Sequence, residues 1–341
     1  MDDMRNVATN EDDMRFIRNR LFETKAFNFL PTPVILASGQ LGIYYINTEK
    51  LLDDGDRWKE FWTDEAKDAQ GMIAHAAELA HTDENFEEVI DILCKQVSDC
   101  FPVGEKDNLM IAGGERRDWL FSGPVADKFD LSHVILYKQE KGVQYGRADV
   151  LHPDGRLIED VKALSGLEII HIGDLLTSGS STYNADNTPP TGWVPTLRKL
   201  GATVGHSNVV VNRNQRDDDG RTAVEKLALG DITGHALITV DDGFFRQAHT
   251  EDRLDEAQQA VAVAYQNDPA GWCHAFLRES GITPTIVSYF NPDNAGSLVK
   301  AGNFVRKYRT VLEESGRLEE LNKEVQQKFG GALEDLVPDS I

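Results

Sequence analysis

The chain has 341 residues and carries 35 Lys and Arg against 57 Asp and Glu, a formal charge of −22. That length suffices for one large domain or two ordinary ones, and the charge argues against nonspecific attachment to nucleic acid or an anionic membrane, which such a surface would repel. Apolar runs are short and the first stretch, MDDMRNVATNEDDMR, is acidic and polar, so neither a membrane span nor a secretory leader is expected and the chain reads as soluble and cytoplasmic.

Short β-branched runs alternate with helical patterns, the signature of a parallel sheet with crossover helices, and no internal repeat interrupts them. The first segment of interest, 35–47 (ILASGQLGIYYIN), is a β pattern with two tyrosines, residues that serve either as strand-pair and core positions or as stacking faces for a flat ring. Residues 60–97 carry apolar positions at helical spacing and predict two packed helices. Within them His75 and His81 fall off a common face and read as surface or packing residues.

A strand at 108–112 leads into GGERRDW, where glycines allow close backbone approach and Arg116 and Arg117 bring permanent forked donors, unless Glu115 and Asp118 simply pair them at an exposed helix start. The strand 133–137 leads into YKQEKGVQYG, by itself a solvated polar loop. Around Pro153, Asp154 and Gly155, the segment 146–158 reads as a hairpin leaving the sheet.

The most informative stretch is 167–181, LEIIHIGDLLTSGSS. A buried-strand pattern delivers Asp174 to a loop of Thr177, Ser178, Gly179, Ser180 and Ser181. In open α/β sheets ligands bind beyond the carboxyl ends of strands, and hydroxyls with backbone N–H groups there can surround an anion. An insert, YNADNTPPTG, separates this loop from the helix containing Val194, Leu197 and Leu200, which should weaken that helix's contribution to anion binding.

Further strands are predicted at 202–211, ending in VVVNR, and at 235–240. The acidic run Asp217, Asp218 and Asp219 reads as a solvated turn, and Arg213 taken alone as a surface residue. Helical patterns at 254–265, 272–277, 297–312 and 318–329, with a possible strand at 284–289, form a charged amphipathic tail that reads as a helical cap or a dimer surface. The cysteines Cys94, Cys100 and Cys273 are odd in number and lack CxxC spacing, so they support neither a disulfide framework nor a zinc site; no residue is assigned to a protein-held metal.

Four segments, in order, are similar to motifs of type I phosphoribosyltransferases, and of orotate phosphoribosyltransferases most closely. Residues 167–181 resemble the family's ribose-phosphate signature: hydrophobic strand, two acids, a variable pair, then Thr-Thr-Gly-x-Ser or close to it. Gly173 stands at the first acid and Asp174 at the second. Residues 35–47 resemble the Leu-Lys-Ser-Gly motif that precedes Tyr-Phe-Asn-like residues, with Ser38, Gly39, Tyr44, Tyr45 and Asn47 in place and Ala37 where the family usually has lysine. GGERRDW fits the pyrophosphate loop, with Arg117 where relatives often carry lysine and the glycine usual near Asp118 absent. YKQEKGVQYG resembles the mobile catalytic loop; Lys138 and Lys141 match its lysines, Tyr137 replaces its arginine and Val143 its histidine. Arg213 matches the arginine that contacts the orotate carboxylate.

The resemblance covers about residues 21–245. It implies an α/β fold with a parallel five-stranded sheet flanked by helices, divided as an N-terminal hood and helical segment (1–105), the core (106–245) and a helical C-terminal extension (246–341). The implied activity is phosphoribosyl transfer from phosphoribosyl diphosphate to a nitrogen base, orotate for preference, with release of pyrophosphate in pyrimidine nucleotide biosynthesis. Asp174 would bind ribose, Thr177, Ser178, Gly179, Ser180 and Ser181 the 5′-phosphate, Arg116, Arg117, Lys138 and Lys141 the diphosphate, and Ser38, Tyr44, Tyr45 and Arg213 the base. Asp174, Lys138 and Lys141 are the implied catalytic residues. Mg2+ would be bound mainly through the diphosphate, and a homodimer is implied. Gly173, Ala37, Tyr137 and Val143 favour a rival, a catalytically silent regulatory protein that binds phosphoribosyl diphosphate or a nucleotide on the same fold. A third reading is transfer to a different base.

Overall fold

The computed structural model describes residues 10–36, 38–63, 67–100, 108–138, 145–216 and 220–337. In chain order its elements are α1 (Glu11–Glu23), β1 (Phe27–Ile35), β2 (Leu41–Ile46), α2 (Ala69–Thr82), α3 (Glu84–Ser98), β3 (Leu109–Gly114), α4 (Trp119–Phe129), β4 (His133–Lys138), β5 (Tyr145–Leu151), β6 (Leu157–Ile158) and β7 (Glu168–Leu176). Then follow α5 (Trp193–Lys199), β8 (Thr203–Asn212), α6 (Ala223–Ala228), β9 (Thr233–Thr239), α7 (Asp242–Thr250), α8 (Glu256–Asn267), α9 (Pro269–Glu279), α10 (Pro284–Ser288), α11 (Ala295–Glu314), α12 (Arg317–Phe329) and α13 (Leu333–Leu336), with 3-10 turns at Thr48–Leu52 and Arg57–Phe61. Two compact units result, one from residues 10–26 and 47–244, the other from 27–46 and 245–337.

The first unit is an α/β layer structure around a seven-stranded sheet ordered β6-β5-β4-β3-β7-β8-β9. β4, β3, β7, β8 and β9 run parallel, as the alternation of strands and helices requires. One face buries Ala112, Val134, Ile169 and Val209 with Val194 and Leu197 of α5 and Leu227 of α6. By strand alternation Ile111, Ile170, Ile172 and Val210 point the other way, and α3 and α4 pack along these strands. Each such Ile or Val contributes about 1.5–3 kcal/mol by leaving water.

The hairpin expected to leave the sheet instead widens it. β5 pairs antiparallel with β4 from His133 opposite Leu151 to Lys138 opposite Tyr145, and β6 pairs with β5. Its turn closes with the Gly155 N–H donating to His152 O at 2.9 Å. Without this ribbon the β4 edge would stand unpaired, which explains why the chain adds two antiparallel strands to the five expected parallel ones. The predicted helix pair is α2 and α3; they part at Asp83, whose side chain caps α3 by accepting from Phe86 N at 2.8 Å. His75 bonds Asp54 at 2.9 Å and His81 bonds Asp127 at 2.8 Å, both in packing or surface roles.

The second unit joins the β1–β2 hairpin to the C-terminal helices, so the hairpin groups with the tail and not with an N-terminal segment. Its core holds Tyr44, Phe245, Tyr265, Phe290, Phe304 and Tyr308, all at most 1% exposed, and α10 and α11 pack on β1. The possible strand at 284–289 is the helix α10. Thr283 caps it, accepting from Ile286 N at 3.2 Å, and Pro284 sits at its first turn with φ already helical. The four helical patterns of the tail appear as α8, α9, α11 and α12. No helix among the described residues is long and apolar enough to cross a membrane.

Candidate functional site

β7 lies between β3 and β8, and its apolar run continues past Asp174 to Leu176, which pairs with Asn212. The loop after it leaves Thr177, Ser178, Ser180 and Ser181 exposed. Gly179 turns the chain at φ +74°, with its carbonyl accepting from Thr182 N at 3.0 Å and Tyr183 N at 2.8 Å. A side chain is unwelcome at that φ. Ser178 and Ser180 place their hydroxyl oxygens 3.0 Å apart, a spacing that lets both face one anion.

The insert before α5 folds back on itself through an Asn184–Thr191 bridge. The first amides of α5, Trp193 N and Val194 N, donate to Ser181 O and Thr182 O at 2.9 and 3.0 Å. α5 has only 7 residues and its leading donors are already engaged, so an anion at this loop would meet the exposed hydroxyls rather than a helix end.

Asp174 is 7% exposed. Its carboxylate accepts from Thr48 Oγ1 at 2.6 Å and stands 3.4 Å from Arg117 Nε. Its backbone N–H donates to Asp118 Oδ1 at 2.9 Å, and the other Asp118 oxygen accepts from Gly114 N at 3.0 Å. A second carboxyl group therefore lies beside Asp174, delivered by the loop after β3. A Cβ placed on Gly173 would lie 3.6 Å from Asp118 Oδ1 and 3.2 Å from Val209 Cγ1, so Asp118 takes up the space on that side of the strand. Burial, and then the charge of Asp174, holds the Asp118 carboxyl well above the usual carboxylate range. His171 stands 3.9 Å from Asp118, and burial pushes its imidazole down to about 4, so the contact is not an ion pair at neutral pH.

Sequence reasoning read Asp118 only as a partner for the arginines. The signal that pointed to it was the loop's departure from the family pattern beside Asp118, together with the missing acid at Gly173; joining the two required knowing that the loop folds against β7.

Glu115 fixes this loop to the neighbouring strand, donating its N–H to Leu136 O at 2.9 Å and accepting from Lys138 N at 2.8 Å. Arg116 is exposed, with its guanidinium 5.3 Å from the centroid of the buried Trp58 ring. The Lys138 side chain is exposed. Lys141 lies outside the described residues, as do Ala37 and Val143. Arg213, taken alone a surface position, is 6% exposed and donates its N–H to Leu176 O at 2.8 Å. Arg117, Asp118, Lys138, Asp174 and Arg213 thus come from the carboxyl ends of four adjacent parallel strands, the edge where open α/β sheets bind ligands.

The expected base-binding residues Ser38, Tyr44 and Tyr45 belong to the second unit. Tyr44 is fully buried; it stacks on Phe27 at 5.1 Å, meets Phe245 and Tyr265, and donates its hydroxyl to Gln266 Oε1 at 2.9 Å. No part of the ring is exposed, which corrects the expectation that Tyr44 offers a face to a base. Tyr45 points away from that core and is 47% exposed. Ser38 Oγ accepts from Gln40 N at 3.4 Å within the hairpin turn.

No protein-family model matches this chain, and no curated protein matches it. Among solved structures it is similar to orotate phosphoribosyltransferase from Aeropyrum pernix, at 17% identity over 69% of this chain and 98% of that one, TM-score 0.43. It is also similar to UMP synthase from Leishmania donovani, at 12% identity over 76% of this chain and 43% of that one, TM-score 0.45. A third is adenine phosphoribosyltransferase from Thermoanaerobacter pseudethanolicus, at 18% identity over 58% and 89% of the two chains, TM-score 0.33.

Proposed function

We propose that the β7 edge binds phosphoribosyl diphosphate and that the protein transfers its phosphoribosyl group to a nitrogen base, orotate being the favoured acceptor on the motif resemblance. The observation that carries this reading is the Asp174 carboxylate, held by Thr48 at 2.6 Å with Arg117 at 3.4 Å, directly before the exposed hydroxyl loop of Thr177, Ser178, Ser180 and Ser181. A ribose 5-phosphate needs such neighbours: oxygen acceptors for its hydroxyls and neutral or cationic donors for its phosphate.

In the reaction a base nitrogen attacks C1, the C1–O bond to the diphosphate breaks, and the diphosphate leaves with the electron pair. Positioning and electrostatics carry the acceleration, because positive charge develops on the ribose and negative charge on the leaving group. Asp174 holds the ribose hydroxyls, and Asp118 sets the backbone of Asp174. Arg116, Arg117 and Lys138 serve the diphosphate, with Lys141 added on the motif resemblance; Arg213 serves the base. The acids at this edge are hard oxygen donors of the kind magnesium accepts, and few in number, which suits an ion carried mainly by the diphosphate. Bound there, Mg2+ would supply further charge neutralisation.

Gly173 and Tyr137, which stand where the family pattern has an acid and an arginine, favour a second reading in which the same site binds phosphoribosyl diphosphate or a nucleotide without turnover. Pyrophosphate release is to be measured with phosphoribosyl diphosphate, Mg2+ and a panel of purine and pyrimidine bases. Release with at least one base supports transfer. Binding by calorimetry with no release from any base supports the silent reading, and absence of both binding and release rejects the site altogether.

A further inference from the structure

We propose that Cys100, His206 and His235 form a binding site for one zinc-type transition-metal ion, away from the acid pair and independent of the phosphoribosyl reading. The three side chains come from distant parts of the sequence, yet one ligand atom of each lies within 4.8 Å of the others. His206 on β8 and His235 on β9 stand near the amino ends of adjacent parallel strands, with His206 paired to Thr233 and His235 to Asn208. Cys100 reaches them from the turn after α3, which packs on both strands.

The donor set is what selects the metal. Two imidazoles and one thiolate form a borderline-soft trio that suits zinc or its spectroscopic substitute cobalt, and is unlike the all-oxygen shells of magnesium or calcium. The imidazole rings stack at 5.4 Å between centroids, with His206 Nδ1 3.1 Å from His235 Nε2. His235 is 8% exposed, and its Nδ1 has no hydrogen-bond partner among the described residues. A buried imidazole nitrogen without a partner is costly unless something binds it.

Burial also keeps both rings in the neutral, ligating form, His235 at about 4. Asp99 lies near His235 and Glu168 near His206, and both carboxylates favour a cation in their vicinity. The half-buried Cys100 contacts the Asn208 side chain at 3.7 Å, and burial pushes its thiol up to about 11, so the ion must displace a proton as it binds. Three protein ligands leave a fourth tetrahedral position for water.

The test uses the full chain, stripped with chelator and titrated with Co2+. The expected result is uptake of one equivalent with tetrahedral visible bands and a thiolate-to-cobalt charge-transfer band, both erased by added Zn2+. Cys100→Ser should abolish the charge-transfer band, and His206→Gln and His235→Gln should abolish one-to-one uptake. Should a histidine variant fail to fold, alkylation of the native chain decides the matter: Zn2+ should protect Cys100 and leave Cys94 and Cys273 unchanged in rate. Absence of stoichiometric uptake, an unchanged spectrum in Cys100→Ser, or equal alkylation of Cys100 with and without Zn2+ overturns the proposal.

Discussion

Asp118 Oδ1 accepts the backbone N–H of Asp174 at 2.9 Å across a separation of 56 residues, so the loop after β3 and the end of β7 are locked by one carboxyl group. The same group accepts from Gly114 N at 3.0 Å, and it does so beside a second acid with its side chain only 13% exposed. Two amides favour the ionised form, while burial and the Asp174 charge oppose it and prevail.

A pH dependence of stability follows. Below the ordinary carboxyl value of 3.8, Asp118 is protonated folded and unfolded alike and adds no slope. As the pH rises the unfolded chain releases this proton while the folded chain keeps it, so stability falls by up to about 1.4 kcal/mol per pH unit until the raised folded value is passed. Asp118→Asn removes that slope. Urea unfolding of both proteins across the acid range should show the advantage of the native chain over the variant shrinking as pH increases. A difference that is constant with pH would show that the carboxyl is not held protonated.

Gly173→Asp places an acid where the resembled motif has its first one and is nevertheless expected to harm binding. The new Cβ would lie 3.2 Å from Val209 Cγ1 and its carboxylate would enter the space beside Asp118 and Asp174. Like charges so close disfavour each other's ionisation. Calorimetry with phosphoribosyl diphosphate should give affinity at least about tenfold weaker, a loss of 1.4 kcal/mol. Adding Asp118→Asn should recover part of it, because one of the three crowded titratable carboxyl groups is then gone. Were the double variant worse than the sum of the single ones, Asp118 would not occupy the role of the missing acid.

The contrast between these two positions shows what the chain discloses locally. Asp174, its strand and the hydroxyl loop are contiguous, so a period of buried residues followed by a Gly/Ser run reveals them, and Arg117 and Lys138 follow from the same pattern of strand then polar loop. Asp118 acts through a partner 56 residues away, which no local period encodes. The closeness of Cys100, His206 and His235 is hidden in the sequence for the same reason. The stretch 284–289 reads as a strand because Thr285, Ile286 and Val287 form a β-branched run, and a capping Thr283 with Pro284 outweighs that preference. The tail helices, long and amphipathic, were legible from spacing alone.

Tyr44 and Tyr45 are adjacent in sequence and should separate cleanly by experiment. Tyr44→Phe removes only the hydroxyl given to Gln266 and should cost about 1 kcal/mol, with base preference unchanged. Tyr44→Ala empties a fully buried aromatic site and should cost about 3–5 kcal/mol in urea unfolding. Tyr45→Ala, at a residue 47% exposed, should leave stability within about 0.5 kcal/mol. A stability loss on Tyr45→Ala as large as that on Tyr44→Ala would reverse this assignment.

Arg117 and Lys141 should divide binding from turnover. Arg117 stands 3.4 Å from the Asp174 carboxylate and is 38% exposed, which lets it serve the acid and a phosphate together. Losing one charge-assisted contact is worth about 1.5–3 kcal/mol, so Arg117→Ala should weaken phosphoribosyl diphosphate binding by about 10- to 150-fold in calorimetry. Arg117→Lys should restore only part, because an ammonium replaces charge but not the planar fork. Lys141, matched to the catalytic loop by resemblance, is expected to act on the leaving diphosphate as its charge develops. Lys141→Ala should therefore lower kcat with little change in the dissociation constant, since a contact that strengthens only in the transition state leaves ground-state binding intact. If Lys141→Ala weakens binding and leaves kcat untouched, the loop acts as a substrate clamp and the acceleration must come from the strand-end residues alone.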